Sequence, residues 1–220
     1  MQIYPLFSTP LYQANLFESE FESFREQISL EKTVNNIQSE EQIPVKVRSG
    51  LLSSNNQLLN DRKYYKENKF ILKNVENYIH NVLKVRRSLI PVMTQSWSVY
   101  HKKGDSSHSH IHSNSMFSGV FYLKCDEDSG RIFFTIPLSF PTYSTSTVSP
   151  HSDLEESNIY NSREWWVQPV PGDILIFPSH LEHYVETSNS DEDRYCIAFN
   201  YFLNGDIASD TFTSKVTIHT

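Results

Sequence analysis

The chain has 220 residues, enough for one sizeable β-rich domain, and an aromatic content of 13%, with 14 Phe and 12 Tyr, favours packed strands over a helical bundle. A formal net charge of −7 provides no general attraction to nucleic acid or to an anionic membrane surface. Two cysteines, Cys125 and Cys196, are too few for a disulfide framework and fit a reduced, cytoplasmic setting.

The opening Met-Gln-Ile-Tyr-Pro-Leu-Phe has no basic segment leading into an apolar core, so it does not read as a signal peptide. No stretch approaches the roughly 20 apolar residues that span a bilayer. Residues 2–14 carry β-formers interrupted by Pro5 and Pro10, which predicts an edge strand able to pair two copies as a homodimer. From Asn15, a candidate cap, Phe17, Phe21, Phe24 and Ile28 recur at helical spacing and predict one helix. Residues 31–62 are polar and read as loop with a short strand near 45–47. Ile71, Val75, Tyr78 and Val82 share one face of a second helix over 65–84.

After Pro91 the texture is β. Strands are expected at 93–100, 117–124, 131–136, 165–170, 173–177 and 194–203, bounded by Gly, Pro, Asn or Ser. Residues 138–163, rich in Ser, Thr and Asn, would be a long surface insertion, either a substrate lid or a solvent-facing excursion. The whole reads as one domain over 1–220, mainly β with flanking helices: helical support over about 15–87 and a barrel or jelly-roll core over about 91–205.

The chemistry concentrates in three places. His108, His110 and His112 alternate, so on an extended segment two of them reach one side and can share a metal ion; the pairs 108/110 and 110/112 fit that spacing equally. A second segment, Pro169-Val-Pro-Gly-Asp-Ile-Leu-Ile-Phe-Pro-Ser-His-Leu-Glu-His183, reads as turn, strand and turn, and delivers His180 and His183 just past a strand end. On the last long strand Arg194, Cys196, Ala198 and Asn200 face one way, and Tyr195, Ile197, Phe199 and Tyr201 the other. The first set suits a pocket lining, and an inward arginine among small residues requires an anion.

Taken in this order and spacing, His-x-His with Ser-Gly-Val-Phe-Tyr-Leu, the Pro-Gly-Asp to His183 segment and Arg-Tyr-Cys-Ile-Ala-Phe-Asn resemble the 2-oxoglutarate- and Fe(II)-dependent oxygenases. The resemblance extends over roughly 97–202 and is greatest to a small branch of poorly characterised hydroxylases from bacteria and phages. It implies a double-stranded β-helix and an Fe(II)- and 2-oxoglutarate-dependent dioxygenase, a hydroxylase using O₂ on a small-molecule or peptide substrate. It also implies His110, His112 and His183 as metal ligands, with His110/His112 preferred over His108/His110, and Arg194 as the partner of the distal carboxylate of 2-oxoglutarate. Two departures stand out. The family's usual pair of histidines and one carboxylate becomes three neutral histidines, and a serine common two residues after the arginine is Cys196, a poorer donor. Tyr100 or Tyr122 could supply the missing hydrogen bond, and Asn200 could also touch the cosubstrate.

Other readings compete. A cupin-like module would bind a small anion or sugar without metal and would tolerate loss of the histidines. A non-oxygenase metalloenzyme would use the same cluster with Zn(II), Mn(II) or Ni(II). His180 fits a turn hydrogen bond. Trp97, Trp165 and Trp166 fit core or rim packing as readily as substrate stacking.

Overall fold

The computed structural model describes residues 1–3, 8–44, 50–136, 155–156, 158–208 and 215–218. The strand expected at 45–47 and most of the 138–163 insertion lie outside the described residues.

Two antiparallel sheets face each other. The larger is built from β1 (Tyr12–Asn15), β2 (Gln42–Pro44), β3 (Leu51–Ser53), β4 (Ile90–His101), β6 (Phe117–Lys124), β9 (Asp173–Pro178), β11 (Arg194–Ile207) and β12 (Val216–Ile218). Its spatial order is β1-β9-β6-β11-β4-β3-β2, with β12 also on β11. The smaller sheet contains β5 (Ser107–His110), β7 (Ile132–Thr135), β8 (Glu164–Val167) and β10 (Glu182–Val185), ordered β5-β10-β7-β8.

The central strands of the large sheet read as unbroken apolar runs because both of their faces are covered. Along β6, Val120 and Tyr122 point toward the small sheet, where they pack with Ile132, Phe134 and Val185. Phe121 and Leu123 alternate to the other face and pack with the helices. The same split divides Leu175 and Phe177 from Ile174 and Ile176 on β9. Aromatic contacts mark both layers: Phe134 meets Phe177 at 5.0 Å between the sheets, and Phe121 meets Phe70 at 5.2 Å beneath the helices.

Helix α3 (Tyr65–Glu76) supplies the helical cover through Phe70, Ile71 and Val75, all fully buried. A π turn over Asn77–Val82 follows. Tyr78 stays buried, but the extra residue in that turn swings Val82 off the stripe, and it is 49% exposed.

The N-terminal third departs from expectation. In place of one helix from Asn15, a 3₁₀ turn (Ser19–Phe21) leads into the short α1 (Glu22–Arg25). Asn15 is the reason: its side-chain oxygen accepts from the Phe17 amide at 2.9 Å and its amide nitrogen reaches Asp173 on β9 at 2.8 Å, so it closes a turn. Helix α2 (Leu30–Gln38) lies where loop was expected. Ser29 caps it by accepting from Lys32 N, and its buried face is only Thr33, Val34 and Ile37, an apolar signal diluted by the polar residues around it. The edge strand near the N-terminus is present as β1, which pairs with β9.

Candidate metal and anion site

Strand pairing, not sequence proximity, assembles the histidines. On β5 and β10 His110 is the direct antiparallel partner of His183, so both side chains emerge on the same face of the small sheet. His112 follows β5, and its backbone amide donates to Ser179 O at 2.9 Å, which holds it against the turn before β10. Ring centroids are 4.4 Å apart for His110 and His183, 5.2 Å for His110 and His112, and 5.3 Å for His112 and His183. One nitrogen from each of the three lies within 4.8 Å of the others. His183 is buried against Phe177, and Trp97 stacks on His112 at 5.8 Å.

The donor chemistry suits a divalent metal. His110 Nδ1 is 2.7 Å from His108 O and His183 Nδ1 is 2.9 Å from Leu181 O. A carbonyl only accepts, so each Nδ1 carries the hydrogen and each Nε2 presents a lone pair. His108 and His180 are both exposed, and neither joins the cluster.

The same cleft is lined by Arg194, Tyr122, Cys196 and Ala198 beyond the histidines. Arg194 is 2% exposed, and among the described residues no carboxylate comes within ion-pair distance of it. Its Nη1 makes only long contacts to Ser129 O and Gly130 O, at 3.5 and 3.4 Å. Its Nε and the Tyr122 hydroxyl are buried without a hydrogen-bond partner among the described residues, and the guanidinium carbon lies 5.1 Å from the Tyr122 ring centre. Burial pushes the Tyr122 phenol above its ordinary range against the pull of Arg194, so the hydroxyl keeps its proton and remains a donor. Burial likewise raises the Cys196 thiol. A cationic fork and an unspent phenol, both buried beside the cleft, fit a carboxylate.

Two expected contacts are absent from the cleft. Tyr100 sits between Val99 and His101 on β4, and strand alternation sends it to the opposite face. There it stacks on Tyr195 at 4.8 Å and donates to Asp193 at 3.0 Å. Asn200 does not line the cleft either: its oxygen accepts from Ser118 at 2.7 Å and its amide donates to Gln95 at 3.0 Å. It belongs to a polar network behind the histidines, in which Ser179 accepts from Ser115 at 2.8 Å and meets Ser118 at 2.8 Å. These serines tie the segment after His112 to the turn that precedes His183. Sequence reading missed both that network and His101, which lines the cleft; the two-residue alternation applied to β4 as to β11 would have put His101, and not Tyr100, inside.

Residues 95–200 match a family model described as "Putative 2OG-Fe(II) oxygenase". No curated protein matches in sequence. Among solved structures, the chain is similar to a prolyl-4-hydroxylase from Pseudomonas putida, at 14% identity and a TM-score of 0.57 over 89% of this chain and 93% of that one. HygX from Streptomyces hygroscopicus, solved with nickel and 2-oxoglutarate bound, is 11% identical with a TM-score of 0.57 over 88% and 83%. A Trichoplax adhaerens prolyl hydroxylase, in complex with a hypoxia inducible factor peptide fragment, is 15% identical with a TM-score of 0.57 over 87% and 83%. At such identities the structural matches establish the jelly-roll fold, and the matched segment holds every residue of the cleft except Leu52. By that match residues 95–200, just under half of the chain, are similar to the 2-oxoglutarate- and Fe(II)-dependent oxygenases.

Proposed function

We propose that this protein is a 2-oxoglutarate- and Fe(II)-dependent oxygenase that hydroxylates a small molecule or a peptide residue, with His110, His112 and His183 as its iron ligands and Arg194 and Tyr122 as the grip on 2-oxoglutarate. One observation carries the reading: three imidazole nitrogens within 4.8 Å of one another share a cleft with a buried arginine that has no acid partner among the described residues. The two cores on either side of the large sheet support treating residues 1–220 as a single working unit.

Bound Fe(II) supplies the activation of O₂ that couples oxidative decarboxylation of 2-oxoglutarate to C–H hydroxylation, R–H + 2-oxoglutarate + O₂ giving R–OH + succinate + CO₂. The protein's residues do the rest. His110 and His183 are fixed in the ligating tautomer by the carbonyls of His108 and Leu181. Arg194 and Tyr122 fix the diacid by its far end, which orients its other end toward the histidines. Three neutral imidazoles bring no charge to a bound dication, and with the distal carboxylate spent on Arg194 the carboxylate at the other end would offset one of its two charges. Phe177 and Trp97 wall His183 and His112 and limit water at the ligands. The hydroxylases among the similar folds, one of them solved with a peptide, support these substrate classes.

The test is aerobic incubation of iron-loaded protein with 2-oxoglutarate, following succinate with and without candidate peptides and metabolites. Binding of 2-oxoglutarate that requires metal, and succinate release, are expected. Absence of both would remove the assignment.

A further inference from the structure

The grip on the distal carboxylate by Arg194 and Tyr122 is one-sided. Arg194 and Tyr122 approach it, Cys196 offers a weak donor, and Tyr100 faces away. Opposite Arg194, its direct partner on β4 is His101, and the two side chains therefore project side by side into the cleft. His101 is 2% exposed. Its ring is seated against Gly50, which has φ +97°; a Cβ there would stand 2.4 Å from His101 Cδ2, so the glycine leaves room for the imidazole. His101 Nε2 lies 3.4 Å from the hydroxyl oxygen of Ser107, another residue of the cleft wall.

A guanidinium buried with no acid partner among the described residues is costly unless something in the pocket uses it. With hydrogen on Nε2, His101 donates to Ser107 Oγ, and the serine's own hydrogen is then directed at an acceptor elsewhere. Donation into the hydroxyl oxygen also strengthens the hydroxyl as a donor. A hydroxyl from β5 would thus stand in for the one that Cys196 lacks on β11.

We propose that Ser107, oriented by His101, is the second half of the clamp on the distal carboxylate of 2-oxoglutarate, facing Arg194. The proposal rests on the cosubstrate reading above. Ser107 is the binding group and His101 a positioning residue.

The experiment compares 2-oxoglutarate with oxalate, which can chelate a metal but has no distal carboxylate, on Co(II)-loaded protein by anaerobic titration. Ser107→Ala removes one hydroxyl and leaves the packing. It is expected to weaken 2-oxoglutarate about tenfold, the worth of a hydrogen bond to a charged group, with oxalate unchanged within twofold. His101→Phe should show the same selective loss, and His101→Gln, which retains a donor near the Nε2 position, should recover part of it. If Ser107→Ala binds 2-oxoglutarate as tightly as the unmodified protein, or loses both ligands equally, the clamp assignment is wrong. Should His101→Phe not fold, the serine variant decides alone. If the unmodified protein binds neither ligand, it is the metal and cosubstrate reading that has failed.

Discussion

His110 and His183 are direct partners across β5 and β10, and their rings approach to 4.4 Å. This contact makes the metal site a property of strand register: a slip of one residue in β5 would turn His110 out to solvent and bring Ser109 in. His183→Ala is therefore expected to abolish the site. The unmodified protein should gain about 2.7 kcal/mol of stability at a metal concentration 100-fold above its Kd, and the variant should gain none. Thermal unfolding with and without Co(II) measures the difference, and an equal metal-dependent rise in Tm for both proteins would move the site elsewhere.

Arg194 is a cation in the core with no acid beside it among the described residues, an arrangement that favours ligand binding over stability. Arg194→Met keeps most of the side chain's volume and removes the charge. It should leave the ligand-free protein as stable as before or stabilise it by about 1–3 kcal/mol, while 2-oxoglutarate binding falls at least about 100-fold, the scale of losing a buried charged pair. Urea unfolding and anaerobic titration together decide. A variant that loses stability but still binds 2-oxoglutarate would return Arg194 to a structural role.

Much of the site was legible because strands impose a period of two. The alternation along Arg194, Cys196 and Ala198 separated cleft from core correctly, and Tyr195, Ile197 and Phe199 do pack under the helices. Beyond them Tyr201 and Leu203 keep the buried face, so the parity holds past Asn200; Asn200 is kept from the cleft by its hydrogen bonds to Ser118 and Gln95. Strand β10 was invisible as a strand because Glu182–Val185 is four residues long and follows a turn whose polar side chains dominate its composition. Helix α2 was hidden for a related reason, since Thr33, Val34 and Ile37 bury one narrow face of an otherwise polar segment. Residue type alone points to Tyr100, whereas strand parity turns Tyr100 away and puts His101 in the cleft.

Gly119 lines the cleft in the middle of β6, and its backbone needs no special conformation; what it needs is space. A Cβ would meet Phe199 Cζ at 2.4 Å and Leu175 O at 2.5 Å. One neighbour is a core ring and the other is backbone of a paired strand, so neither yields easily. Gly119→Ala should destabilise the protein by about 1–3 kcal/mol, seen as a lower urea midpoint at unchanged m. A midpoint equal to that of the unmodified protein would mean β6 and β9 separate more readily than their packing implies.

On the outer face of the small sheet Arg131 Nε donates to Glu186 at 2.6 Å, with the guanidinium also lying 4.7 Å from the Trp166 ring centre. The hydrogen bond from Arg131 holds the Glu186 carboxyl below its ordinary 4.5, outweighing the opposing effect of partial burial. A carboxyl whose folded pKa is depressed contributes stability above its unfolded value and loses that contribution as pH falls through the folded one. The pair is about one-third exposed, 36% for Arg131 and 33% for Glu186, so solvent screening keeps its worth to at most about 1 kcal/mol. Glu186→Gln should accordingly be less stable than the unmodified protein by up to about 1 kcal/mol at pH 6.5, with the gap closing below pH 4.5. Urea unfolding at a series of pH values from 6.5 downward measures it, in low salt so that screening does not mask the effect. A gap that stays constant across the series would assign the loss to packing against Trp166 and Phe133, not to charge.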